Sequence, residues 1–319
     1  MRTTAAQLAT SKKGYKHLLL YAHGGLNSPK ASARRIAAMK NTFKENGVYP
    51  YHFMYDTGIM EELKDVIFRR KQGIEDRAGG FSDWSDRLIE WATRIPGRAL
   101  WREMKAGAES PFKPDRAGTQ TLEIFLEELT TSDSADLTVH LVGHSTGAIL
   151  LAHLLDKMEE FAPELRLGSC SLLAPACSID IFRSHYYSYL VTGKNDFGID
   201  KMQVFNLTNR LERDDQVGLV YRKSLLYLVS RAFEEDTPEE ILGMKKYSDP
   251  LLQNPDVKKL GNKFRVHYSN ATNTGKTNSS THGGFDNDVA TMNNVLRTIL
   301  GMRENEQLAK PFTRESLDY

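Results

Sequence analysis

The chain has 319 residues, enough to bury one sizeable core or one core with an inserted cap. Lysine plus arginine (42) nearly balances aspartate plus glutamate (41), for a formal net charge of +1, which argues against a generic nucleic-acid binder with its basic excess. Two cysteines, Cys170 and Cys177, have no metal-ligand spacing and read as buried free thiols in a reducing compartment. No apolar run follows Met1-Arg2 as a secretory signal would require, so the expected location is the cytoplasm.

Residues 17–22, with three consecutive leucines, predict a buried strand. Residues 29–46 predict a helix, with Ile36, Met39 and Phe43 near helical spacing, and 48–55 a second strand. From there to Leu137 the chain is far longer than one crossover helix needs. In that stretch Phe81, Trp84, Leu88, Trp91 and Ile95 recur at helical spacing, and all three tryptophans (Trp84, Trp91, Trp101) fall within it. Residues 59–116 are therefore read as a helical cap or lid inserted into a core made of residues 1–58 and 117–319. The rings either pack the insertion onto the core or, at Trp84 and Trp91, line a substrate pocket under the cap.

Further strands are expected over 137–142, 169–173, 202–207 and 264–268, with helices at the start of the run after Gly147, near 221–233 and over 289–300. Residues 269–284, rich in Asn, Thr, Ser and Gly, read as a long loop. This alternation predicts an α/β protein with a mostly parallel sheet of about six strands and helices on both faces. Ligands of such sheets bind at the carboxyl ends of the strands. The longest apolar stretch is interrupted by His140, His144 and Ser145, so it reads as buried strand and helix, with no transmembrane segment.

The third strand leads into Gly143-His144-Ser145-Thr146-Gly147, and a helix-like run (Ala148 to Leu155) leads out. Gly-x-Ser-x-Gly between a strand and a helix is the setting of a nucleophile elbow, in which the serine is forced into strained backbone and only small neighbours fit. A serine hydroxyl needs a base, and the base needs a group to orient it. In such sheets the chain order is Ser, then Asp or Glu, then His. Of nine histidines, His282 is well placed: it follows the sixth strand, just before the terminal helix. The acid is expected after the fifth strand, where Asp214 and Asp215 both qualify; Asp180, after the fourth, is the third candidate. One oxyanion N–H is expected from Thr146. The other is expected from the turn His23-Gly24-Gly25-Leu26, from Gly25 first and Leu26 second.

These residues resemble the α/β-hydrolase superfamily: His23-Gly24-Gly25 its oxyanion turn, 143–147 its elbow, Asp214/Asp215 its acid turn and His282 its base loop. The resemblance runs from about residue 17 to 300, without the insertion. It implies the α/β-hydrolase fold and a serine hydrolase acting on a carboxylic ester, either a small molecule or a lipid. An acyltransferase or thioesterase with the same triad, or a non-catalytic scaffold acting as a binding module, are the alternatives. No phosphate-cradling Gly-rich loop and no His-Glu-x-x-His motif occurs, so neither cofactor nor metal is expected.

Overall fold

The computed structural model describes residues 14–24, 29–54, 82–131, 137–193, 195–217, 221–235, 238–272, 275–303 and 306–318, with backbone alone at 29, 82–89 and 128–131. The elements that place the site are β1 (His17–Ala22), α1 (Pro29–Glu45), β2 (Val48–Phe53), α2 (Ser82–Glu109), α3 (Ala117–Thr131), β3 (Thr138–His144), α4 (Gly147–Phe161), β4 (Arg166–Leu173), β5 (Gly198–Ile199), β6 (Met202–Leu207), α5 (Asn209–Asp214), α6 (Lys245–Gln253), β7 (Phe264–Ser269) and α7 (Val289–Ile299). The strands form one sheet in the order β2-β1-β3-β4-β6-β7, with the two-residue β5 beside β4, and every pairing is parallel. Parallel neighbours need crossovers, which the intervening helices supply.

Alternation along the strands sends side chains to two separate cores. Leu18, Leu20 and Ala22 of β1, with Val139 and Leu141 of β3, join Ile149, Leu150 and Leu154 of α4 on one face. Leu19 and Tyr21, with Val142 and Phe205, join Met39 and Phe43 of α1 and Met292, Val295 and Leu296 of α7 on the other. The expected α/β class, parallel sheet and two-faced helical cover are therefore present, as are the six predicted strands. Cys170 and Cys177 are free and fully buried, and burial pushes the Cys177 thiol up to about 12. Among the described residues, no helix is long and apolar enough to cross a membrane.

The stretch read as a cap departs from its expected face. Helix α2 packs against α4 and against the helical segment 229–233. Its buried stripe is Thr93, Gly97, Trp101, Met104 and Ala108. Gly97 lets the helix close on the core: a Cβ there would lie 2.3 Å from the Phe233 ring. Trp101 is buried, and its indole N–H donates to Glu234 Oε1 at 2.6 Å. That ring packs the insertion onto the core. Trp91 and Ile95 instead face solvent, 74% and 85% exposed. Trp91, assigned from the sequence to a substrate pocket, therefore lies on the exposed side of α2, because the stripe that meets the core runs through Thr93, Gly97 and Trp101. Residues 59–81 and the Trp84 side chain lie outside the described residues.

Candidate active site

Ser145 sits between the last residue of β3 and the first turn of α4, with φ of +53°, in the left-handed region that side chains other than glycine rarely occupy. Gly147 is required by backbone contact, and Gly143 fits tightly against a side chain. A Cβ on Gly147 would lie 2.2 Å from the Ala22 carbonyl oxygen, and one on Gly143 would lie 2.8 Å from Leu151 Cδ1. Backbone bonds fix the turn: Ser145 N–H donates to the Leu173 carbonyl at 2.9 Å, and the Ser145 carbonyl accepts from Ala176 N–H at 3.0 Å.

His282 opens a short 3-10 turn (His282–Asn287) immediately before α7. Its Nε2 lies 2.9 Å from Ser145 Oγ, a contact spanning 137 positions of sequence. Both side chains are buried. Burial, and then the neighbouring His144, pull the His282 pKa down to about 3, with Asp286 opposing. The ring is therefore neutral at neutral pH.

The two adjacent carboxylates after β6 part company. Asp214, in the last turn of α5, is 57% exposed and paired with Arg210 at 3.3 Å. Asp215 follows with extended backbone (φ −71°, ψ 164°), which turns it inward. Its Oδ2 accepts the main-chain N–H of His282 at 2.8 Å, and its Oδ1 accepts Gln216 N–H at 2.8 Å. Burial raises the Asp215 carboxyl, and these two N–H groups oppose the rise. Asp214 pairs with Arg210 and not with His282, and Asp180, 85% exposed beside Arg183, is also elsewhere. His282 Nδ1 is buried and has no hydrogen-bond partner, so Asp215 holds the backbone of His282 and not its ring.

Gly24 abuts the serine: a Cβ there would lie 3.3 Å from Ser145 Cβ. Thr146 is fully buried at the start of α4. Gly25 and Leu26 lie outside the described residues.

Sequence reading passed over a buried network beneath the elbow. Its centre is Asp286, fully buried, which pairs with Arg35 of α1 and accepts the Tyr21 hydroxyl at 3.0 Å. His144 places Nδ1 3.2 Å from Asp286 Oδ2 and Nε2 3.0 Å from the His282 carbonyl oxygen. Burial alone would raise the Asp286 carboxyl. The charges of His144 and Arg35 and the bonds from His144 and Tyr21 outweigh it and hold the group below its ordinary value. The residue before the serine thus clamps the main chain of His282. The available signal was Arg35, a cation among the apolar positions of α1.

Glu212 lies behind Asp215. It is buried, accepts the Ser224 hydroxyl, and leaves Oε1 without a partner. Burial pushes its pKa from 4.5 up to about 8; the Ser224 bond opposes this and the Asp215 charge adds to it. The folded chain therefore holds a proton that the unfolded chain has released. This contribution to stability is complete below pH 4.5 and is lost as pH rises to about 8. The loss is on the order of 5 kcal/mol. Glu212→Gln is expected to remove that slope, leaving the variant more stable than wild type at high pH. Urea unfolding at low and high pH checks it; an unchanged slope would reject the assignment.

Among the described residues, no group of three or more His, Cys, Asp or Glu side chains could hold a metal ion. No protein-family model matches the chain, and no curated protein matches it. A solved structure of an uncharacterized protein from Pseudomonas aeruginosa is similar at 9% identity, over 94% of this chain and 47% of that one, with a TM-score of 0.31. The chain thus spans about half the length of that protein.

Proposed function

We propose that this chain is a cofactor-independent serine hydrolase of the α/β-hydrolase type, cleaving a carboxylic ester through an acyl-enzyme. The observation that carries the reading is Ser145, in left-handed backbone at a strand-to-helix turn, with Oγ 2.9 Å from His282 Nε2. Ser145 Oγ attacks the acyl carbonyl carbon while His282 Nε2 takes its proton. The superfamily resemblance implies that main-chain N–H groups of Thr146 and of Gly25 or Leu26 stabilise the tetrahedral oxyanion. Collapse breaks the ester C–O bond, and His282 returns its proton to the departing alcohol. Water, deprotonated by the same imidazole, then releases the acid and restores the serine. The preference for an ester comes from the superfamily resemblance.

We assign Asp215 as the group that orients the base: it grips the main chain of His282 and is placed to take the ring Nδ1–H once substrate is bound. Asp215→Asn is expected to lower kcat/KM on the order of 10³-fold. Asp214→Asn is expected to stay within about twofold of wild type, as an exposed ion pair contributes little. Full activity in both would move the acid elsewhere, to Asp286 first.

The reading is tested by mixing the protein with p-nitrophenyl acetate and following nitrophenolate release. The expected result is a burst of about one equivalent per chain, then slower turnover, the signature of an accumulating acyl-enzyme. Release no faster than with Ser145→Ala would overturn it. Transfer of the acetyl group to an added thiol or alcohol in preference to water would make the enzyme an acyltransferase.

A further inference from the structure

We infer that an apolar slot beside the elbow helix holds the acyl chain of the substrate, which makes that substrate an ester of a long-chain aliphatic acid. The inference rests on the serine-hydrolase reading above. A cavity of about 250 Å³ lies between the sheet and α3. Its walls include Leu20 of β1, Phe53 of β2, Phe112, Leu122 and Phe125 from α3 and the turn before it, and Leu150 of α4. The lining is chiefly apolar and offers an aliphatic chain transfer out of water, with Tyr51, His52 and Thr121 as its polar members.

Register places the slot with respect to the serine. Phe53 pairs with Ala22, and Ala22 with Gly143, so the last residue of β2 lies in the row two residues short of Ser145. One strand separates β2 from β3, which puts the slot roughly 10 Å to the side of the nucleophile, on the same carboxyl edge of the sheet. Leu150 lies in the first turns of α4, the helix that begins two residues after Ser145, so the slot descends along the elbow helix itself. Met54 lines the cavity just past the end of β2 and is 55% exposed, which marks the entrance at that edge. Leu20 and Leu150, both buried, face it from the core.

The acyl side of the ester fits this geometry better than the alcohol side. The acyl group stays bonded to Ser145 until water arrives, and a dry slot holds it in place through that wait. The alcohol leaves after the first step, whereas the acyl group has to stay until the second, so only the acyl chain gains from being held between the two.

Ethyl and decyl fluorophosphonates test this without knowledge of the natural ester, because each fixes its alkyl arm where the acyl chain would lie. Each methylene buried is worth up to about fourfold, so the decyl probe is expected to label wild type at least about 50-fold faster than the ethyl probe. Thr121, half-buried on α3, lines the slot and takes no part in the chemistry. Thr121→Trp fills the slot and Thr121→Asp puts a charge in it. Both variants are expected to lose the decyl advantage while ethyl labelling stays within about threefold of wild type. Equal rates for the two probes on wild type, or a decyl advantage that survives in both folded variants, would overturn the assignment while leaving the serine chemistry in place. Labelling by neither probe would remove the serine-hydrolase reading and this inference together.

Discussion

Ser145→Ala is expected to lower ester turnover by roughly 10⁴- to 10⁶-fold, and His282→Ala by a similar factor. The two act as one device, since the hydroxyl is inert without a base and the base has nothing to activate without the hydroxyl. The double variant is therefore expected to be scarcely worse than either single one. The fold should survive the first change. Ser145 and alanine both carry a Cβ, so the left-handed backbone at φ +53° is no more strained than before. The side chain is only 3% exposed and loses one hydroxyl, so unfolding free energy is expected to stay within about 1 kcal/mol of wild type. Steady-state hydrolysis beside a thermal melt checks both halves. Turnover retained in a folded Ser145→Ala variant would remove the serine from the chemistry, and losses that multiplied in the double variant would separate the two residues.

The second large effect concerns stability. Asp286→Ala takes away the carboxylate that faces Arg35, accepts the Tyr21 hydroxyl and lies against His144. Arg35 is 6% exposed and Asp286 fully buried, so the guanidinium loses its counter-charge in a place water reaches poorly. Removing one partner of such a pair costs about 3–5 kcal/mol, a large part of the 5–15 kcal/mol that holds a domain folded. Asp286→Asn keeps an acceptor and is expected to lose less. In that milder variant His144 is held less firmly, and with it the carbonyl of His282 that it clamps. The expected signature is a fall in kcat with KM nearly unchanged, the mark of a displaced base and not of a damaged binding site. Urea unfolding of Asp286→Ala within about 1 kcal/mol of wild type would show that the network does not support the elbow.

The sheet was legible because its strands are buried on both faces. A run such as Leu18-Leu19-Leu20 reads as strand without alternation, and the structure divides it between two cores. The elbow was legible because its letters carry its geometry: two glycines mark the places where a Cβ would strike Ala22 or Leu151. Asp214 and Asp215 could not be told apart, since what separates them is where α5 ends. One residue is still helical and points to solvent, and the next is extended and points to His282. Helix α2 misled for another reason. Trp91 and Ile95 keep helical period, but period locates a stripe and does not say whether that stripe or the Thr93-Gly97-Trp101 stripe meets the core. The Arg35–Asp286 pair was hidden because its partners lie 251 positions apart and neither belongs to a motif.

The central claim is that Ser145 is an activated nucleophile, and labelling with a fluorophosphonate, followed by peptide mass mapping of wild type and Ser145→Ala, tests it most directly. The account predicts one phosphonylated peptide, carrying Ser145, in wild type and none in the variant. A label on another residue, or no label on a chain that a thermal melt shows to be folded, would contradict it.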